Sequence, residues 1–159
     1  MKSTLFKVCF VIFVVGAVVL RWVDKPEPGI IAFELAKTID NANAMVATWE
    51  AADALGQKKF SLYFDYIFII GYAGSLFIIL REWWAKNDKQ WIYYLGFLPI
   101  LAGILDGIEN FGLLQIVYHQ GNQFSASLAF YCASVKFAIL LPSILGALYY
   151  LVLKYLKKI

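Results

Sequence analysis

Four long apolar stretches constrain the fold of this chain more than any other feature of its sequence. They cover residues 4–22, 62–81, 91–117 and 128–153. A helix that crosses a membrane needs roughly 20 mostly apolar residues, because each residue rises about 1.5 Å through a hydrocarbon core of about 30 Å. The sequence therefore predicts an all-α membrane protein, a four-transmembrane-helix bundle that forms one domain over residues 1–159.

The composition agrees with this interpretation. The chain is 62% hydrophobic and 16% charged, whereas soluble globular proteins are about 45–50% apolar and about 25% charged. A disordered chain, a disulfide-rich secreted module and a typical soluble enzyme are therefore excluded. The lipid bilayer is the expected partner, and the net charge of +3 follows from the membrane orientation, so no nucleic acid is needed to explain it.

The first apolar stretch has two interpretations. Lys2 and Lys7 precede an apolar run that contains a possible cleavage site, Val15-Gly16-Ala17, as in a secretory signal peptide. The run is long, however, and it ends in Arg21-Trp22, which is typical of an interfacial anchor. We expect the stretch to be retained as the first transmembrane helix.

Basic residues between the stretches predict the orientation of the bundle. Loops on the cytoplasmic side of a membrane carry an excess of Lys and Arg. With the N-terminus in the cytoplasm, that side holds eight basic residues, and the opposite side holds five together with six acids. The eight are Lys2, Lys7, Arg81, Lys86, Lys89, Lys154, Lys157 and Lys158. Both termini are therefore predicted to be cytoplasmic.

The first loop, residues 23–60, is the longest part of the chain outside the apolar stretches. Apolar residues recur in it at spacings of three and four, which predicts an amphipathic helical segment over about 30–56. They are Ile31, Leu35, Ile39, Ala42, Val46 and Trp49. Thr38 is a candidate N-cap, which would divide the segment into two helices, and Gly56 is a candidate stop. The segment is either a connector at the membrane surface or a lid over the mouth of the bundle.

Polar and ionisable residues inside the apolar stretches are the strongest functional signal. A charged side chain costs at least about 2.5–3.5 kcal/mol near the centre of a bilayer, so such residues usually have a role. Helix geometry places Asp106, Glu109 and Asn110 on one face, and Asp65 and Tyr72 on one face of the preceding helix. The predicted ligand-binding residues are Asp65, Tyr72, Asp106, Glu109, Asn110 and Lys136.

The charges of this set do not balance. Three carboxylates accompany one ammonium, so either one acid is protonated or a cation binds. Oxygen ligands of this kind suit a hard cation such as Na⁺ or Ca²⁺. An ordinary hydrogen-bond network uses the same residues, however, and we predict no metal site and no cofactor.

Several spaced residues carry a resemblance. They are Phe33-Glu34-Leu35-Ala36, Trp49, Asp65-Tyr66, Phe68, Tyr72, Asp106-x-x-Glu109-Asn110 and Lys136-Phe137. Over most of its length the chain resembles a family of uncharacterised short bacterial four-helix membrane proteins. The resemblance implies a bacterial origin, hence the inner membrane, and a shared polar core, but no activity. The position of Asp65 after a long first loop is also similar to emopamil-binding-protein-like (EXPERA) proteins, in which such a carboxylate faces a lipid-sized cavity.

Three functions are compatible with these features. The first is binding or carriage of a lipophilic small molecule with a cationic or polar head. The second is a structural or assembly role in a larger membrane complex or homo-oligomer, with the polar cluster locking the bundle. The third is an intramembrane lipid-modifying enzyme that uses two acids for isomerase-like acid/base chemistry.

Overall fold

The computed structural model describes residues 3–156, and within that range the chain is helical and contains no strand. Predicted positions Lys2, Lys157 and Lys158 lie outside the described residues. The helices are α1 (Thr4–Val23), α2 (Ile30–Glu34), α3 (Ile39–Ala51), α4 (Leu55–Asn87), α5 (Gln90–Leu95), α6 (Leu98–Val117) and α7 (Gln123–Leu156).

Four of the helical segments are long and apolar enough to cross a membrane. They are α1, α4, the segment Gln90–Val117 that contains α5 and α6, and α7. The all-helical architecture with four such segments is the one predicted from the sequence. Helix α4 has 33 residues and is about 50 Å long, so it extends well beyond an apolar core of about 30 Å.

Glycines bring α1 and α4 into close contact. A Cβ atom at Gly71 would lie 2.6 Å from the backbone nitrogen of Phe13, and one at Gly16 would lie 2.8 Å from the Phe68 ring. Farther along, a Cβ at Gly74 would lie 2.8 Å from Cys9 Sγ. Small residues at a helix interface allow this approach. Helix α1 packs mainly on α4, while α7 packs mainly on α6, so a groove is left between α1 and α7.

The segment between α1 and α4 folds over one end of the bundle. Thr38 caps the N-terminus of α3, and its hydroxyl accepts a hydrogen bond from the backbone amide of Asn41 at 3.3 Å, which confirms the predicted N-cap. Ala42, Val46 and Trp49, three members of the predicted apolar face, are buried. They pack with Phe33 against the ends of α4, α6 and α7 in one apolar cluster.

The predicted single apolar face and the predicted end of the segment are both wrong. Ile31 and Leu35 are exposed, because α2 ends at Glu34 and the backbone turns through a left-handed Lys37 (φ 62°) before α3 begins. The helical period does not continue across that turn. Gly56 is not the stop, since α3 ends at Ala51 and Gly56 lies in the first turn of α4.

A second apolar cluster lies at the opposite end of the bundle. It joins Phe6 of α1, Trp83 of α4, Ile92 of α5 and Tyr150 of α7. The Trp83 ring stacks on Tyr150 at 6.1 Å and meets Trp91 edge-on at 5.2 Å. Both ends of the described chain therefore lie at this end, and the α2–α3 segment covers the other.

Candidate functional site

Lys136 is the centre of a buried charged cluster. It lies on α7 and is only 4% exposed. Its ammonium donates to Asp106 Oδ1 at 2.9 Å and to Glu109 Oε1 at 3.0 Å, and it lies 3.5 Å from Glu34 Oε2. The second Glu109 oxygen is also 2.9 Å from the ammonium. An ammonium has three N–H donors, so three carboxylates from α2 and α6 occupy its donor capacity.

Tyr72 extends this cluster onto α4. Its hydroxyl donates to Asp106 Oδ2 at 2.8 Å, and both side chains are buried. The contact depends on a close approach of α4 and α6, because a Cβ at Gly103 would lie 3.0 Å from Ile69 and 3.4 Å from Ala73. Asp106 therefore joins α4, α6 and α7 in a single network.

Asp65 is held apart from Lys136. One of its oxygens accepts a hydrogen bond from Asn110 Nδ2 at 2.6 Å, and no ion pair of Asp65 occurs among residues 3–156. Asn110 is buried next to Glu109 on α6, whereas Asp65 is partly exposed. The six sequence-predicted residues thus converge as two adjacent sets. One set is Tyr72, Asp106, Glu109 and Lys136, and the other is Asp65 and Asn110.

Glu34 is not among the predicted site residues, because the sequence predicts that it lies in the outer loop. The structure buries it at the C-terminus of α2 beside Lys136. Burial raises the pKa of the Glu34 carboxyl above its usual value, and the positive charge of Lys136 acts in the opposite direction. The available signal was its context, because Glu34 is the single charge in the apolar run 29–36.

A cavity of about 670 Å³ opens beside this cluster, between α1 and α7. We call it the α1–α7 groove. Helix α4 forms its floor and α2 covers its upper end, where Glu34, Asp65, Asp106, Asn110 and Lys136 line the wall. Arg21, Asp24, Ser61 and Tyr72 also line this end, and apart from Ser75 the remainder of the wall is apolar. It includes Phe10, Phe13, Phe68, Leu76, Ile79, Phe137, Leu140, Ile144, Leu148 and Leu151.

A second buried ion pair lies at the mouth of the groove. Lys58 is fully buried and its ammonium lies 3.0 Å from Asp24 Oδ1. The same ammonium is 5.2 Å from the centre of the Trp49 ring, and Asp24 Oδ1 also accepts from the Ile30 amide at 2.8 Å. This pair fixes the start of α2, and hence the position of Glu34, relative to α4.

The positive charge between the three carboxylates of the cluster is a protein group, the ammonium of Lys136. Among residues 3–156, no set of three or more His, Cys, Asp and Glu side chains is arranged to hold a metal ion. The point on which Glu34, Asp106 and Glu109 converge is the ammonium of Lys136. The arrangement holds these charges in fixed positions beside the apolar part of the α1–α7 groove.

Comparisons with known proteins add no assignment: no protein-family model, curated protein or solved structure matches the chain.

Proposed function

We propose that this chain is a multi-pass membrane protein that binds or carries a lipophilic molecule with a cationic or polar head in the α1–α7 groove. The observation that supports it is the division of the groove wall into a charged end and a long apolar remainder. An amphiphile has the same division. A volume of about 670 Å³ lies within the roughly 300–1,000 Å³ of small-molecule sites.

The charge of the wall favours a cationic group on the ligand. Three carboxylates share the single ammonium of Lys136, and Asp65 adds a fourth that no ammonium or guanidinium neutralises within residues 3–156. Uncompensated carboxylates away from water are costly. A ligand ammonium beside Asp65 would reduce that cost, because opposite charges attract strongly where water is excluded.

The same proposal includes the placement in the membrane. We place the chain in a bacterial inner membrane with both termini in the cytoplasm. Both ends of the described chain lie at one end of the bundle, and Arg81, Lys86 and Lys154 are near that end. The polar end of the groove then lies in the outer half of the membrane, under the α2–α3 segment.

Binding of a long-chain amine tests the proposal. Native mass spectrometry of the gently solubilised protein, titrated with octadecylamine and with octadecanol as the uncharged control, would measure bound adducts. We expect the amine to bind and the alcohol to bind more weakly. Asp65→Asn should weaken amine binding by about tenfold, since a hydrogen bond to a charged group contributes about 1.5–3 kcal/mol.

A matched control is provided by Asp88→Asn. Asp88 is exposed at the far end of α4 in a left-handed conformation (φ 49°), which Asn also tolerates. This variant should bind the amine as the wild type does. Equal binding of amine and alcohol, or unchanged binding in Asp65→Asn, would contradict the cationic-head proposal.

One observation favours a second function, a structural or assembly role. The three carboxylates that surround Lys136 join α2, α6 and α7, and such a network fixes helix positions without any ligand. This role predicts a protein that carries no adduct and a Glu109→Gln variant that loses stability only. The oligomer mass from the same native spectra would show whether the chain assembles with copies of itself.

A further inference from the structure

Two oppositely charged side chains on the groove wall, Arg21 and Asp65, form no ion pair within residues 3–156. Asp24 is paired with Lys58, while Glu34 and Asp106 are paired with Lys136. Of the remaining charged groups on the wall, Asp65 accepts a single hydrogen bond, from the neutral Asn110 amide. Arg21 makes no hydrogen bond or ion pair within residues 3–156.

The packing of α1 on α4 places these two residues at nearly the same depth. The helices are antiparallel, and close contacts join Gly16 to Phe68 and Phe13 to Gly71. Continuing that register brings Arg21 level with residue 63. Asp65 is two residues farther along α4, which corresponds to about 3 Å along the helix axis.

The surroundings of Arg21 suit a phosphate. Arg21, Trp22 and Lys25 line a smaller cavity that adjoins the mouth of the groove, and Trp22 is 82% exposed. A guanidinium binds phosphate oxygens through two parallel hydrogen bonds. Trp and basic side chains near the end of an apolar helix are typical of the lipid headgroup level.

We propose that the ligand is a phospholipid with a zwitterionic head, whose ammonium binds Asp65 and whose phosphate binds Arg21. This inference rests on the proposed function and names its ligand class. The unpaired carboxylate of Asp65 disfavours a purely anionic head, and the unpaired guanidinium disfavours a purely cationic one.

The length of the groove agrees with an acyl chain. On α7 its wall runs from Lys136 to Leu151, a rise of about 22 Å. Half of a hydrocarbon core is about 15 Å thick, so the groove is long enough for one acyl chain below the charged residues.

A set of single-chain lipids of equal chain length tests the inference. The probes are lysophosphatidylethanolamine, lysophosphatidylglycerol and the corresponding alkylamine, each titrated into detergent-solubilised protein and followed by native mass spectrometry. We expect the ethanolamine lipid to bind at least about tenfold more tightly than the glycerol lipid. Diacyl phosphatidylethanolamine in nanodiscs, as a further probe, shows whether a two-chain lipid is accepted.

Variants separate the two charges. Arg21→Gln should weaken binding of the ethanolamine lipid by about tenfold. It should not weaken binding of the alkylamine, because the amine has no phosphate and the variant removes a repelling positive charge. Arg21→Lys should recover part of the loss. Lys86→Gln is the matched control, because Lys86 is an exposed cation at the opposite end of α4 and its loss should change neither affinity.

Each other outcome has a defined meaning. If the alkylamine binds as tightly as the ethanolamine lipid and Arg21→Gln changes neither, the zwitterion inference fails while the proposed function stands. Preference for the glycerol lipid also overturns the inference. If no probe binds to folded wild-type protein, as judged by its helical circular dichroism, the proposed function fails with it.

Discussion

Removal of the Lys136 ammonium is the most informative perturbation of this structure. Lys136→Met keeps the length and apolar stem of the side chain but leaves Glu34, Asp106 and Glu109 around a position that no longer carries positive charge. Removing one member of a buried ion pair typically costs about 3–5 kcal/mol, because the partner charge stays buried and uncompensated. With three carboxylates at 2.9–3.5 Å, we expect a loss in this range at about pH 8, where carboxyl groups ordinarily carry charge.

The deficit should depend on pH and on the remaining acids. Burial raises the pKa of the Glu34 carboxyl. Lowering the pH to about 5 therefore neutralises part of the charge that Lys136→Met leaves unpaired, and the deficit should shrink. Adding Glu109→Gln to Lys136→Met removes one uncompensated charge, so the double variant should lose less than the sum of the two single variants.

Unfolding of the protein in detergent micelles, followed by circular dichroism at both pH values, measures these differences. Lys86→Met is the control, because Lys86 is exposed and its substitution should change the free energy of unfolding by less than about 0.5 kcal/mol. A Lys136→Met deficit as small as that of the control, or one that grows at low pH, would refute the assignment of Lys136 as the counter-charge of the cluster.

Three further predictions concern single positions. Glu34, with its raised pKa, binds a proton more tightly in the folded protein. Its contribution to stability is therefore present at low pH and is lost as the pH rises through the folded pKa. Glu34→Gln should remove the contribution of this residue to the dependence of the free energy of unfolding on pH. An unchanged dependence would contradict a raised pKa of Glu34. Ser75 lines the groove with a buried hydroxyl that has no hydrogen-bond partner among the described residues, a cost of about 1–3 kcal/mol. In thermal unfolding, Ser75→Ala should keep or raise the midpoint temperature. Ser143→Ala should lower it, because this variant removes a 2.9 Å hydrogen bond to a backbone carbonyl. Equal losses in the two variants would be inconsistent with an unpaired Ser75 hydroxyl. Gly71→Ala should destabilise the protein by about 1–3 kcal/mol, since its Cβ would lie 2.6 Å from the backbone of α1. Gly107→Ala should be nearly neutral, because the nearest atom to its Cβ would be 3.7 Å away. Equal losses of stability in denaturation would argue against the close α1–α4 contact.

Local sequence pattern was sufficient to predict the four long apolar helical segments and the polar face of α6. Asp106, Glu109 and Asn110 lie at i, i+3 and i+4, so any regular helix presents them together. Lys136 and Asp65 are predictable from the sequence because a charged residue inside an apolar stretch is rare and usually has a role. Each of these signals lies within one helix, so it can be read from the sequence without knowing how the helices pack.

The missing parts depend on contacts between distant segments. Glu34 reaches Lys136 over a sequence separation of 102 residues, and its depth is set by the turn that follows α2. Similarly, residues 8–20 of α1 are apolar on all sides, so the sequence of this part does not indicate which face meets α4. The α1–α7 groove arises because α1 packs mainly on α4. Gly16 and Gly71 allow this packing, since neither has a side chain that would keep the two helices apart.

The charges of the site help to separate the proposed function from a purely structural one. A buried ion pair is a weak source of stability, because apolar packing of the same volume does as well or better. The network around Lys136 nevertheless has an internal explanation, since every member of it contacts another. Asp65 and Arg21 have no such explanation: both line the groove, and neither forms an ion pair within residues 3–156. A structural lock requires the first set alone, whereas a site for a charged amphiphile also requires unpaired charges on its wall. The variants at positions 21 and 65 therefore test function, while those at Lys136 test the framework that holds it.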